Sequence, residues 1–121
     1  KERALVNWGQ AYIEATGIGV APVNAKGPQG KALARRGAIV DLQRNLLETV
    51  VGVQIDSRTT LDNFMADDLV RQEVHGLIQG VELLDGQWDG ESYTMTGRIR
   101  TDRLRVIYEY CQQQIAVRGY R

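Results

Sequence analysis

The chain has 121 residues, of which 43% are hydrophobic and 25% are charged, a composition typical of a globular protein rather than a disordered one. Its 15 basic and 15 acidic side chains balance, so net charge gives no attraction to nucleic acid or acidic lipid. Cys111 is the only cysteine, which excludes an intrachain disulfide. The length predicts one domain over residues 1–121.

The first part of the sequence predicts a strand followed by a long loop. Residues 1–9 are mixed and are typical of a short helix or an arm. Apolar and polar residues alternate from Ala11 and Ile13 onward, which predicts a half-buried strand over Gln10–Val20. Glycines and prolines are frequent between Gly17 and Gly30, which predicts a loop there.

A long amphipathic helix is predicted from about Gly30 to Val51. Its expected apolar stripe comprises Ile39, Leu42, Leu46 and Val50, widened by Leu33, Val40, Leu47 and Val51. Gly52 should end this helix, and a short strand is expected at Val53–Ser57. Thr59 and Thr60 are good N-cap residues for a turn at 61–65.

The rest of the chain predicts a helix, a hairpin and a last helix. A second helix is expected over about Ala66–Gly76 with Asp67 and Asp68 at its start, where the helix dipole favours negative charge. Strands over about Leu77–Trp88 and Glu91–Arg100 would form a hairpin. Their connection, Asp89-Gly90, predicts a type I′ turn. The inward-facing residues of the second strand are expected to be Tyr93, Met95, Gly97 and Ile99.

The last predicted helix begins at Thr101 and carries the clearest amphipathic pattern. Its apolar positions are Leu104, Ile107, Tyr108, Cys111 and Ile115. The predicted order is therefore strand, helix, strand, helix, hairpin, helix. This order indicates an α+β fold, with a small antiparallel or mixed sheet and one long and two shorter helices.

The sequence offers little reactive chemistry. The glycine-rich stretch ending at Lys31 could cradle an anion, but Ala32 stands where a P-loop needs Ser or Thr. His75 is the only histidine and has no neighbouring metal-ligand pattern. Cys111 lies on an apolar stripe, where a buried hydrophobic role is expected. We therefore predict no catalytic residue, no metal site, no cofactor and no enzymatic activity.

Three polar residues interrupt the long helix. Asp41 and Arg44 are three residues apart and can form an ion pair on the helix surface. Asn45 is a poor helix former in mid-helix. We expect Asn45 to form a structural hydrogen bond to a neighbouring strand or loop.

Charged patches of opposite sign are the candidate interfaces. Four arginines (Arg98, Arg100, Arg103 and Arg105) surround the last strand–helix junction. They are interpreted as a solvated face, a contact for the acidic surface of a partner, or a phosphate contact. The second helix is acidic, with Asp62, Asp67, Asp68 and Glu73. Such patches suit head-to-tail assembly or a meeting within one molecule.

The segment ALARRGAIVDLQRNLLETVVGVQIDSRTT joins a helix rich in small residues and arginine to a Gly-Val strand. It resembles the LPP-twenty lipoproteins of bacterial cell envelopes, and the resemblance covers about Ala15–Arg100. The positions that carry it in the helix are Ala34, Arg35, Arg36, Ala38, Asp41, Arg44, Asn45, Leu46, Leu47 and Glu48. Beyond the helix they are Gly52-Val53, Asp56-Ser57, Thr59-Thr60, Phe64, Asp67, Val74, Gly76, Gly80-Val81 and Tyr93. Gly37 departs from the pattern, since the family usually has Ala there.

The resemblance implies a small α+β envelope domain without catalytic activity. FlgP-like members build disks or rings around the flagellar motor at the outer membrane, and FlgT-like proteins carry a similar N-terminal domain. The family's lipid-anchoring cysteine near the N-terminus is not in this sequence. The expected location is the periplasm, in association with the outer membrane.

The first hypothesis is a non-enzymatic assembly protein that partners with its own copies or with another envelope protein, and no nucleic acid is expected. The alternative is a binding module for a peptide, glycan or nucleic acid, acting through its sheet or the Arg98–Arg105 patch. A hydrolase or transferase would need a substrate-sized pocket with two polar reactive groups.

Overall fold

The computed structural model describes residues 6–118, and the predictions for residues 1–5 lie outside that range. The elements are β1 (Tyr12–Val20), α1 (Gly27–Val51), a short 3-10 helix (Leu61–Phe64), α2 (Asp68–Gln79), β2 (Glu82–Trp88), β3 (Ser92–Arg100) and α3 (Thr101–Arg118). The α+β fold class is confirmed, with one long helix and two shorter ones.

The three strands form one antiparallel sheet in the order β1–β3–β2. The β2–β3 hairpin pairs Glu82 with Arg98 at one end and Trp88 with Tyr93 at the other, with an irregularity between Leu83 and Gly86. Because β3 is central, both other strands are edge strands.

The contacts divide the chain into two compact units. Unit 1 comprises residues up to Ile13, Leu47–Gly80 and Ile99 onward, and unit 2 comprises Glu14–Leu46 and Val81–Arg98. The boundaries fall inside β1, α1 and β3, so these three elements continue from one unit into the other.

Unit 2 has two layers, with helix α1 on one face of the strands. Ala34, Ala38, Leu42 and Leu46 are fully buried on the helix, and they follow a four-residue spacing that keeps them on one side. The inner face of β3 is buried, as predicted, at Tyr93, Met95, Gly97 and Ile99, the last of which belongs to unit 1. The other face of the strands carries no helix of this unit.

Unit 1 is built around the contact between α2 and α3. The buried residues of α2 are Val70, Val74, Leu77 and Ile78, and those of α3 are Thr101, Leu104, Ile107 and Cys111. The 3-10 helix adds Leu61 and Phe64, both almost fully buried. The predicted apolar pattern of α3 is confirmed at Leu104, Ile107 and Cys111, whereas Tyr108 and Ile115 are half-buried.

The stripe predicted for α1 is partly wrong. Leu42, Leu46 and Val50 are buried as expected, but Leu33 is 36% exposed and Val40 is 53% exposed. The small residues Ala34 and Ala38 take the inner positions, because helix and strand are too close there for larger side chains.

The strand predicted at Val53–Ser57 is absent from the described residues, so the predicted order contains one strand too many. Gln54 instead forms an isolated bridge with Thr60. The segment turns at once, since the Ile55 backbone N–H donates to the Thr59 carbonyl at 2.8 Å. The turn predicted after it is confirmed as the 3-10 helix, with Thr60 as its N-cap.

Helix α2 begins two residues later and ends three residues later than predicted, and β2 is correspondingly shorter. Leu77 and Ile78, which we expected in the strand, are buried residues of the helix. They continue the spacing of three or four residues from Val70 and Val74. Asp62, predicted for this helix, lies in the 3-10 helix.

The hairpin turn is not of type I′. That type requires a positive φ at both central residues, but Gly90 has φ +99° and no non-glycine residue of the described chain has a positive φ. Asp89 instead organises the connection through its side chain, whose Oδ1 accepts from the backbone N–H groups of Glu91 at 2.8 Å and Ser92 at 2.7 Å.

Candidate functional site

The segment that carries the family resemblance packs closely within unit 2, where helix α1 lies against strand β1. A β-carbon built at Gly17 would lie 2.2 Å from the Ala38 carbonyl oxygen, and one at Gly19 would lie 2.0 Å from that of Ala34. Only glycine on the strand and a small residue on the helix allow this approach. The two glycines therefore lie in β1, within the strand predicted over Gln10–Val20, and the prediction that the loop begins at Gly17 is wrong.

Two polar residues of α1 bond to the backbone of β1. The Asp41 Oδ2 atom accepts from the Ile18 backbone N–H at 2.9 Å, and the Asn45 Nδ2 atom donates to the Thr16 carbonyl at 2.8 Å. The predicted structural role of Asn45 is thus confirmed. Because β1 is an edge strand, these bonds satisfy backbone groups that β3 does not reach.

The basic residues of the same helix point elsewhere. Arg36 and Arg44 are offset by two residues from Ala34 and Leu42, so they lie on the opposite side of the helix. The side chains of Arg35 and Arg36 make no ion pair within the described chain, and both residues are exposed. Arg44 forms the predicted pair with Asp41, at 3.6 Å.

Gly52 follows the last residue of α1, as predicted. Its backbone N–H donates to the Glu48 carbonyl at 3.2 Å. It therefore completes the final turn of the helix before the chain leaves it at Val53.

The four arginines predicted as one patch are divided between the two units. Arg98 belongs to unit 2 and forms an ion pair with Glu82 at 2.9 Å across the β2–β3 hairpin. Arg100 belongs to unit 1 and pairs with Asp102 through two hydrogen bonds, at 2.9 and 2.6 Å. The hydrogen bond from Arg100 lowers the pKa of Asp102, and the same bond raises the pKa of Arg100.

The other two arginines lie on α3. The Arg105 guanidinium stacks on the Trp8 ring at 4.9 Å and donates to the Trp8 carbonyl at 3.1 Å, while the Trp8 ring lies 5.0 Å from that of Tyr108. This arrangement fixes the residues before β1 against the helix. Arg103 is exposed and lines a small cavity with Glu73.

The predicted acidic residues Asp67 and Asp68 have local roles at the start of α2. Asp67 is the N-cap, and its Oδ1 accepts from the backbone N–H groups of Leu69 at 2.9 Å and Val70 at 3.2 Å. Asp68 forms an ion pair with Arg71. Neither aspartate is paired with the predicted arginine patch in the described chain.

Charge separation between its two layers is the most distinctive surface property of unit 2. The segment that contains the helix carries five basic residues and one acidic residue, a net charge of +4; these are Lys26, Lys31, Arg35, Arg36, Arg44 and Asp41. The strands and the hairpin turn carry five acidic residues and one basic residue, a net charge of −4; these are Glu14, Glu82, Asp85, Asp89, Glu91 and Arg98. Sequence reasoning missed this pattern because the acidic residues are scattered along the chain.

Unit 2 also contains an open cleft of about 480 Å³ between the end of β1 and the hairpin turn. Apolar groups dominate its lining, among them Val20, Val23 and Trp88, and Lys26 and Glu91 add opposite charges. Val23 is 95% exposed. A volume of this size can admit a small ligand or an apolar side chain.

Cys111 is not arranged as a nucleophile. Burial, with a smaller contribution from the charge of Asp67, raises the pKa of its thiol from 9.0 to about 11. The thiol is therefore protonated at neutral pH, the form that reacts poorly.

The described residues contain no group of three His, Cys, Asp or Glu side chains that could hold a metal ion. None of the helices in this range combines the length and the apolar character needed to cross a bilayer. Comparison of the sequence with protein-family models gives no match, and comparison with curated proteins finds no significant relative.

Proposed function

We propose that this chain is a non-enzymatic structural protein of the bacterial cell envelope, periplasmic and outer-membrane associated, that assembles with its own copies or with an envelope partner. A ring or disk at the flagellar motor is the specific form that its resemblance to the LPP-twenty lipoproteins implies. The observation that carries the assembly part is the charge separation in unit 2, since opposite charges on opposite layers favour head-to-tail contact.

The packing of the segment that resembles the family supports the same proposal. Its small residues bring α1 onto β1, and Asp41 and Asn45 attach the helix to the strand backbone. Arg35 and Arg36 are left exposed on the helix, with Arg36 on the side opposite Ala34. A closely packed two-layer unit with a charged outer surface is suited to contact with another protein.

Sedimentation and light scattering across a range of protein concentrations test the assembly, using the full-length protein with its native N-terminus. We expect species of at least several copies at high concentration. A strict monomer under all conditions would contradict the assembly role. Fractionation of the cells that make the protein tests its location separately, and recovery in the soluble cytoplasmic fraction would contradict an envelope role.

A binding module remains the second candidate because of the 480 Å³ cleft lined by Val20, Val23 and Trp88. Its aromatic and aliphatic lining suits an apolar peptide side chain or the face of a sugar ring. Titration with peptides and oligosaccharides, followed by Trp fluorescence, tests this alternative. The expected control is Trp88→Phe, which should remove the signal and leave Trp8 as the remaining tryptophan.

A further inference from the structure

Unit 2 exposes one face on its helix and one on its sheet. Residues 27–46 of α1 span about 30 Å at the rise of an α-helix, and the part of β1 that belongs to unit 2, residues 14–20, spans about 23 Å at the rise of a strand. The outer side of the sheet can therefore lie along most of the outer side of the helix.

The charges on these two faces are complementary and partly unpaired. Arg35 and Arg36 on the helix, and Glu14 and Asp85 on the strands, are exposed. None of these four side chains forms an ion pair within the described chain. Opposite charges across an interface steer association and fix its orientation.

Each face also has an exposed apolar residue among its charges. Val40 lies on the outer side of α1 and is 53% exposed, and Ile18 lies on the outer side of β1 and is 56% exposed. Near Ile18 the sheet face is weakly polar, with the hydroxyl oxygens of Thr16 and Thr96 3.5 Å apart. An apolar centre with charged surroundings is the usual arrangement of a protein interface.

We propose that the outer face of α1 in one copy of this chain docks on the uncovered sheet face of a second copy. The basic helix residues then meet the acidic strand residues, and Val40 lies near Ile18. Because the two faces differ, the contact is heterologous and can repeat from copy to copy, giving a ring or an open stack. This inference rests on the proposed assembly function and names the surfaces that would carry it.

Charge reversal tests the inference in the full-length protein. The helix variant is R35E/R36E, the sheet variant is E14K/D85K, and the third variant combines all four changes. Each single-face variant places like charges in contact, so its apparent dissociation constant should rise about tenfold or more. The combined variant restores opposite charges and should recover assembly. R58E is the matched control, since Arg58 is an exposed residue of unit 1, and it should assemble like the wild type.

The possible outcomes distinguish an error in the proposed interface from an error in the proposed function. Loss in both single-face variants with recovery in the combined one supports the docking of helix on sheet. Unchanged assembly in the single-face variants, or no recovery in the combined variant, would overturn this interface while leaving the assembly function in place. A wild-type protein that stays monomeric would overturn both. Far-ultraviolet circular dichroism of every variant shows whether a loss of assembly reflects unfolding.

Discussion

At the residue scale, two glycines of β1 set the distance between strand and helix in unit 2. Gly17 would place a β-carbon 2.2 Å from both the Ala38 carbonyl oxygen and the Leu42 backbone nitrogen. Backbone atoms of a helix cannot move aside as a flexible side chain can. A methyl group at this position must therefore displace α1 from the sheet.

We expect Gly17→Ala to lower the free energy of unfolding by about 2 kcal/mol or more, because it overpacks a rigid contact. Gly37→Ala is the matched control in α1, where the nearest atom would be the Gly19 α-carbon at 3.6 Å, an ordinary contact. That control should be neutral or stabilising by about 0.5–1 kcal/mol, through higher helix propensity. Urea denaturation measures both, and equal effects of the two changes would contradict the close approach.

A second residue-scale prediction concerns Cys111, whose thiol has a pKa raised from 9.0 to about 11 by burial. Below pH 9 the thiol is protonated in both the folded and the unfolded state. Between pH 9 and 11 the unfolded chain loses this proton first, so stability falls as the pH rises. The free energy of unfolding should drop by about 2–3 kcal/mol from this group alone.

Cys111→Ala isolates that contribution, since lysines and tyrosines titrate equally in both proteins. The difference in stability between the wild type and the variant should shrink by about 2–3 kcal/mol between pH 8 and pH 11. A difference that does not change with pH would show that the thiol ionises as readily in the folded protein as in the unfolded one.

At the element scale, two side chains of helix α1 bond to free backbone groups of the edge strand β1. Asp41 accepts from the Ile18 backbone N–H at 2.9 Å, while Asn45 donates to the Thr16 carbonyl at 2.8 Å. Exposed backbone groups on an edge strand are a template for pairing with another chain. At the middle of β1, these two side chains already bond to backbone groups that could otherwise pair with another chain.

Asp41→Ala should increase the hydrogen-exchange rate of the Ile18 amide by about fivefold, because a typical hydrogen bond contributes about 1 kcal/mol. Asp41→Asn keeps an acceptor oxygen and should preserve most of the protection. Exchange measured by nuclear magnetic resonance distinguishes the two variants. Unchanged exchange in Asp41→Ala would mean that this bond does not protect the strand in solution.

Sequence reasoning predicted the elements whose pattern is set by burial alone. The alternation in β3 correctly gave the inward residues from Tyr93 to Ile99, and the spacing in α3 gave Leu104, Ile107 and Cys111. Alternation in β1 also continues through Gly17 and Gly19, but glycine is ordinarily a loop signal. Only the close approach of α1, a tertiary effect, explains why glycine occupies a strand there.

The candidate interface was harder to predict than the fold. The arginines around the last strand–helix junction are close in sequence, yet the structure divides them between two units and pairs Arg98 and Arg100 with Glu82 and Asp102. Conversely, Glu14 and Asp85 are 71 positions apart but belong to one layer of unit 2. Surface charge patterns depend on the topology, which the local sequence does not reveal.

At the scale of the whole molecule, three continuous elements join the two units. The unit boundaries fall within β1, α1 and β3, so unfolding one unit would fray elements that continue into the other. Small domains with such continuity usually unfold in one step. The two units should therefore unfold together.

The chain provides a direct probe of this, since it has two tryptophans, Trp8 in unit 1 and Trp88 in unit 2. Trp88→Phe leaves a reporter in unit 1, and Trp8→Phe leaves one in unit 2. In each variant, the urea transition followed by tryptophan fluorescence should coincide with the one followed by circular dichroism. Fluorescence transitions that separate from the circular dichroism curve would show that the units unfold independently.

The charge layers of unit 2 also give it an electric dipole. The two net charges of +4 and −4 cancel, and the whole chain is close to neutral at its pI of about 6.8. Two copies near neutral pH therefore feel no net repulsion, and the direction of the dipole governs how they turn as they approach. Salt weakens this orienting field, since the Debye length is about 8 Å at physiological ionic strength. In the proposed assembly, the rate at which copies meet in the correct orientation should thus depend on ionic strength far more than a net charge of zero would imply.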